Sequence, residues 1–157
     1  MAIKAACITF PGSNCDQDIH RAVRLMNWDL VKLWHENTLD EKVDVIFVPG
    51  GFSYGDYLRC GALARFSPAM KSLTEHAAKG GLVVGICNGF QILCEAGLLP
   101  GALHRNIGLK FRSIWSHLRI ANGDTAFTKV GQEGQVLRIP IAHGEGNFHI
   151  TQDGLKR

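Results

Sequence analysis

Cys87 is the residue whose setting could do chemistry. It stands in Gly85-Ile86-Cys87-Asn88-Gly89, where an apolar run ends and a helix-like pattern begins. A nucleophile raised on a sharp strand–turn–helix elbow has this form, here with a thiol. A side chain two residues to either side would crowd the nucleophile, which explains Gly85 and Gly89. A helix N-terminus offers backbone N–H groups and the positive end of the helix dipole, and both favour negative charge on the sulfur. Attack of a thiolate on a carbonyl builds an oxyanion that needs donors. The N–H of Asn88 is one candidate. The turn Pro49-Gly50-Gly51, with its bare backbone, can supply another. The chemistry is acyl transfer, most simply hydrolysis of an amide or ester. The plain alternative is a cysteine buried between a strand and a helix, and the paired glycines argue against it.

The other thiols and the imidazoles give no second chemistry. The remaining cysteines are Cys7, Cys15, Cys60 and Cys94; five in all is an odd number with no C-x-x-C pair. That pattern fits neither a disulfide framework nor a zinc knuckle. Cys7 and Cys94 read as small core residues. The seven histidines form no H-E-x-x-H motif, so no metal is expected. There is no G-x-x-x-x-G-K-[ST] loop, and no G-x-G-x-x-G follows a strand.

The elements that must position Cys87 can be read in chain order. Residues 3 to 10 form an apolar strand, followed by the turn Pro11-Gly12-Ser13-Asn14. Asn14 or Asp16 caps a helix with Ile19, Val23 and Met26 on its buried face. Residues 29 to 35 form a second strand, ending in His35 as a solvated histidine. Residues 43 to 48 form a third, delivering Pro49-Gly50-Gly51 to the carboxyl edge of an open sheet, where ligands bind. A long polar loop with Cys60 and Gly61 leads to a helix from Pro68 to about Ala78, with Met70, Leu73 and Ala77 inward. Gly80-Gly81 stop that helix before the elbow strand. From about residue 102 the pattern alternates. Residues 112 to 120, 125 to 130 and 135 to 141 read as antiparallel strands, with Asn122-Gly123 as a hairpin signal. Residues 140 to 149 read as a glycine-rich polar loop.

A length of 157 residues suits one domain with a real core. Hydrophobic content of 46% and charged content of 20% are ordinary for a soluble globular chain. The formal charge of +3 is small and its basic residues form no stripe, which excludes a nucleic-acid footprint. No apolar run reaches membrane-spanning length and no leader precedes the first strand, so no membrane role and a cytoplasmic location are expected. The fold class is α/β, with a three-layer, mostly parallel, flavodoxin-like sheet and an antiparallel extension.

With these stretches in view, the chain resembles the class I glutamine amidotransferases. Residues 85 to 91, Gly-Ile-Cys-Asn-Gly-Phe-Gln, match their G-x-C-x-G-x-Q elbow, and Pro49-Gly50-Gly51 matches their oxyanion turn. Residues 10 to 16, 49 to 59 and 139 to 146 are similar to blocks of one branch, the glutaminase subunits that serve the fourth step of purine synthesis. The similarity runs through essentially all of residues 1–157, which are expected to form one amidotransferase domain.

The resemblance implies several roles. Cys87 would attack the side-chain amide of glutamine and form a glutamyl thioester with loss of ammonia. Gly51 and Asn88 would be the oxyanion donors. Gly50, Gln91 and the backbone of Ile141, Ala142 and His143 would hold the substrate. The ammonia would pass to a large ATP-dependent synthetase subunit, with a small third subunit in the same complex. This chain would need no cofactor of its own, ATP and magnesium being used by the synthetase. The branch's catalytic histidine and glutamate lie in a Pro-His-Pro-Glu-type motif near the C-terminus, and these residues contain no such motif. His143-Gly144-Glu145 has similar spacing but matches the substrate loop instead. The expectation is a C-terminally incomplete domain, lacking the last strand and helix and having little glutaminase activity by itself. Two other classes share parts of the pattern: a cysteine hydrolase of the related elbow-bearing group, and an interaction protein that keeps the fold without the chemistry.

Overall fold

A computed structural model describes residues 2–154. The described chain divides into two compact units. One runs up to Ala102 and resumes at His149; the other is Leu103–Phe148.

The first unit is built on a four-stranded parallel sheet. Its strands are β1 (Lys4–Thr9), β2 (Asp29–Trp34), β3 (Val45–Val48) and β4 (Leu82–Gly85), in the order β2-β1-β3-β4. Three helices accompany it: α1 (Asp16–Leu25), α2 (Pro68–Ala78) and α3 (Asn88–Glu95). Alternation along β1 sets the two layers. Ala5 and Cys7 face one way, with Val45 and with Ile19 and Val23 of α1. Ala6, Ile8 and Phe10 face the other, with Ile46, Val48, Met70 and Leu73 of α2, and Ile92 and Leu93 of α3. A sheet covered on both faces reads as continuous apolar runs, which is why β1 and β3 were legible. Parallel pairing puts Val48 opposite Gly85, so β3 and β4 end level and deliver their turns to one edge. The chain leaves β1 for β2 on one side and for β3 on the other. That reversal opens a crevice at the carboxyl ends of β1 and β3.

Several local expectations change. Met26 is not on the buried face of α1. It is the C-cap residue and stays exposed, while His20 takes the buried place. Neither Asn14 nor Asp16 caps this helix; Cys15 occupies the N-cap with no side-chain cap bond. His35 is buried rather than solvated, because Tyr54 reaches it from a distant loop with a 2.7 Å bond between its hydroxyl and Nδ1. Ala77 is only half-buried in α2.

The second unit is a hairpin of β6 (Arg112–Arg119) and β7 (Val136–His143), antiparallel, with Ile114 opposite Ile141 and Leu118 opposite Leu137. Residues 125 to 130 are not a strand. The Thr125 hydroxyl accepts from the Thr128 N–H at 3.2 Å, and the Thr125 carbonyl accepts from the Lys129 N–H at 3.0 Å. A threonine that bonds the backbone ahead of it closes a turn instead of extending. β7 also takes in residues 140 to 143, so the expected polar loop shrinks to a short bend before β8 (Asn147–His149). β8 pairs with β5 (Ala102–His104) where the chain enters and leaves this unit.

Cys7 behaves as the small core residue expected. Burial pushes its thiol up to about 12, with Asp16 adding to the rise. The folded state therefore prefers the neutral thiol. This contribution is complete below the free-thiol pKa of about 8.5 and is lost as pH rises through the folded value. Urea melts should show stability falling as pH rises above about 8.5 toward the folded value, and Cys7→Ala should flatten part of the fall. Equal alkaline slopes for the two chains would refute this assignment.

Candidate functional site

The elbow rests on a close approach of two backbones. The last ladder bond of β4 runs from the Ile86 N–H to the Val48 carbonyl at 3.0 Å. The first turn of α3 crosses the same carbonyl, so a Cβ added to Gly89 would overlap the Val48 oxygen. One added to Gly85 would come within 2.6 Å of Leu93 Cδ1 and 2.8 Å of the Gly89 backbone. Both flanking glycines are required, but the clash is with β3 and with each other rather than with the nucleophile. The backbone turns at Cys87 itself, at φ 53° and ψ −110°, well outside the usual regions for a residue with a side chain. Such strain persists only where the surroundings over-determine it, and it gathers at functional positions. Cys87 is the N-cap of α3 and its side chain is exposed.

The Pro49-Gly50-Gly51 turn lies directly beside it. A Cβ on Gly50 would stand 3.4 Å from Cys87 Cβ and 3.5 Å from Cys15 Sγ. Gly51 has φ 147°, and a Cβ there would meet the Asn14 nitrogen and the Gly12 oxygen, each at 2.8 Å. The loop after β1 therefore packs on the turn. Ser13 bridges Gly51, the Cys15 N–H donates to the Gly50 carbonyl at 3.2 Å, and the Phe52 N–H donates to the Gly12 carbonyl at 2.9 Å.

Asn88 and Gln91 are buried on the inner side of α3. The Asn88 carboxamide accepts from the Ser53 N–H at 3.1 Å. It donates to Gln91 Oε1 at 3.1 Å and to Asp56 Oδ1 at 3.4 Å. Beyond Ser53 the loop carries Tyr54, Asp56 and Leu58 at φ 53°, 55° and 68°. Arg59 grips Glu95 of α3 through two bonds, Nε at 2.7 Å and a terminal nitrogen at 2.6 Å, and so fixes the far end of that loop.

Thus Cys87, Gly50, Gly51, Asn88 and Gln91 are brought together at one sheet edge. Ile141, Ala142 and His143 lie on β7 of the second unit. There His143 Nδ1 meets Asn106 Oδ1 at 2.9 Å, and the Gly146 N–H donates to the same oxygen at 3.0 Å. The Asn106 amide nitrogen donates to the carbonyls of His143 and Lys110, so Oδ1 is the acceptor and Nδ1 of His143 carries the proton. Asn106 organises this loop, and nothing in its sequence neighbourhood announces it. Cys15 was also missed as a neighbour of Cys87. Its place just after the β1 turn, at the same edge, was the available signal. Burial, then Asp18, Cys87 and Asp16, holds the Cys15 thiol above its ordinary range. Among the described residues no group of three or more His, Cys, Asp or Glu is placed to hold a metal.

A parallel α/β sheet with a strained cysteine elbow facing a glycine turn defines a thiol acyl-transfer fold of the glutamine amidotransferase class. The chain belongs to the family of the CobB/CobQ-like glutamine amidotransferase domain, whose model matches residues 2–157. It is 53% identical over 157 residues to phosphoribosylformylglycinamidine synthase subunit PurQ of Bradyrhizobium diazoefficiens, covering 99% of this chain and 67% of that one. It is 56% identical to the subunit of the same name from Moorella thermoacetica, covering 94% and 63%. The chain thus spans about two thirds of the length of these relatives. Among solved structures it matches PurLQS from Thermotoga maritima, with TM-score 0.91, 42% identity, and 98% and 72% of the two chains covered. A glutamine amidotransferase from the same organism, at TM-score 0.64 and 18% identity, covers 97% and 64% and shares the fold.

Gly89→Ala tests the elbow. Overpacking against the Val48 carbonyl should cost about 1–3 kcal/mol or more. It should also slow alkylation of Cys87 by iodoacetamide, followed by peptide mapping. Unchanged melting and unchanged labelling would contradict the close approach.

Proposed function

We propose that this chain is the glutaminase part of a phosphoribosylformylglycinamidine synthase. The reading is carried by the assembly of Cys87, Gly50 and Asn88 at one crevice. It is supported by the names of relatives that are 53% and 56% identical to this chain.

The thiolate of Cys87 attacks the side-chain amide carbon of glutamine. The N–H groups of Gly51 and Asn88 receive the oxyanion, and Gln91 with Gly50 borders the bound amino acid. Collapse of the adduct breaks the C–N bond. The nitrogen takes a proton from water and leaves as ammonia, and a thioester remains on Cys87. Water then releases glutamate. Oxyanion donors of this kind are worth about 10²–10³ in rate each. The family resemblance extends the substrate-binding role to the backbone of Ile141, Ala142 and His143. His143 is not assigned as the base, because His143-Gly144-Glu145 matches the substrate loop and not the Pro-His-Pro-Glu-type motif. Ammonia passes to an ATP-dependent synthetase subunit, in a complex with a small third subunit. ATP and magnesium are used there, and this chain carries no cofactor. No described helix is long and apolar enough to cross a membrane, and the cytoplasm is the proposed compartment.

A chloromethyl ketone analogue of glutamine tests the reading. Cys87 should gain one thioether, glutamine in excess should protect it, and the buried Cys7 and Cys94 should stay unmodified. Cys87→Ala should take no label. A folded chain in which iodoacetamide reaches Cys87 but the ketone does not would remove the proposal.

A further inference from the structure

Two backbone donors form the proposed oxyanion site, and they sit on different elements. Asn88 N–H belongs to α3, and Gly51 N–H belongs to the turn after β3. Their spacing must hold to within about half an ångström for such a site to work. On the β1 side the turn is tied by four backbone contacts: the Ser13–Gly51 bridge, Cys15 N–H to Gly50 at 3.2 Å, Phe52 N–H to Gly12, and Tyr54 N–H to Pro11 at 2.7 Å. From α3, the Asn88 side chain reaches the loop just past the turn. It is 2% exposed, and its oxygen takes the Ser53 N–H two residues beyond Gly51. Its nitrogen is spent on Gln91 and Asp56, so the carboxamide cannot rotate without losing all three bonds.

We infer that the Asn88 carboxamide is a positioning group that fixes the Gly51 donor relative to the Asn88 donor. The inference rests on the proposed function and assigns a second task to the residue. Asn88 places one donor with its backbone and steers the other with its side chain. It also sets the orientation of Gln91, whose Oε1 it occupies, leaving the Gln91 amide nitrogen turned away from that bond. The loop it holds is strained at Tyr54, Asp56 and Leu58, and such backbone needs an external restraint. Arg59 supplies one at the far end and Asn88 supplies one next to the site.

Two reagents separate this role from a merely structural one. Iodoacetamide alkylates a thiolate by direct displacement of iodide and needs no oxyanion donor. The chloromethyl ketone analogue of glutamine adds its carbonyl carbon to the sulfur, building an oxyanion. The sulfur then attacks the CH2 carbon and chloride leaves with the C–Cl electron pair. The oxyanion re-forms the C=O as the bond between sulfur and the carbonyl carbon breaks, its pair returning to sulfur, and the S–CH2 thioether remains. In Asn88→Ala the iodoacetamide rate at Cys87 should stay within about twofold, while the ketone rate falls about 10²–10³-fold, as for loss of a donor. Asn88→Asp keeps the acceptor for Ser53 but sets a carboxylate against Asp56 and Gln91, and its ketone rate should lie between. Parallel loss of both rates, or an unchanged ketone rate in a folded Asn88→Ala chain, would overturn the inference. If the unsubstituted chain takes iodoacetamide but not the ketone, the proposed function fails. The clamp is then judged by hydrogen exchange: faster exchange of the Ser53 amide in Asn88→Ala supports it, and unchanged exchange refutes it.

Discussion

The site depends on the contact between the Val48 carbonyl and the first turn of α3. That carbonyl ends the β3–β4 ladder by accepting from Ile86, and the Gly89 backbone passes over it with no room for a Cβ. The approach forces the chain to reverse within Ile86-Cys87-Asn88, and the reversal is absorbed at Cys87 in a backbone conformation few residues adopt. Everything else at the edge follows from where α3 then lies. Gly50 lies against Cys87 and Cys15, and Asn88 is carried to the level of Ser53.

The first unit was legible to the degree that its determinants are local. Apolar runs with polar turns between them announced β1, β3 and β4. Pro68 opened α2, and the glycine spacing placed the elbow. The family resemblance drawn from those motifs holds over residues 2–157. Even so, the reason given for Gly85 and Gly89 was wrong in its partner. A sequence displays that space is needed, but the Val48 oxygen lies on another strand.

The misreadings share one cause: partners distant in the chain. His35 looks like any strand-end histidine until Tyr54 and Phe10 close over it. Met26 continues the helical period, but the helix stops at Leu25 and His20 is buried instead. Residues 125 to 130 alternate well enough for a strand, yet the Thr125 hydroxyl satisfies the backbone locally and Val130 is left fully in solvent. Asn106 joins residues far apart in sequence through a buried side chain, and composition gives no hint of it.

The level ending of β3 and β4 has one more consequence. Val48 and Gly85 are register partners, and the turns that leave them carry the donor and the nucleophile. A slip of one residue between these strands would move Gly51 and Cys87 apart by a full strand step, about 3.3 Å. The reactive geometry is therefore a property of strand register and not of a flexible loop. The chain cannot keep a partly ordered site on a partly ordered sheet, and the thiol's reactivity serves as a gauge of whether the central strands are paired.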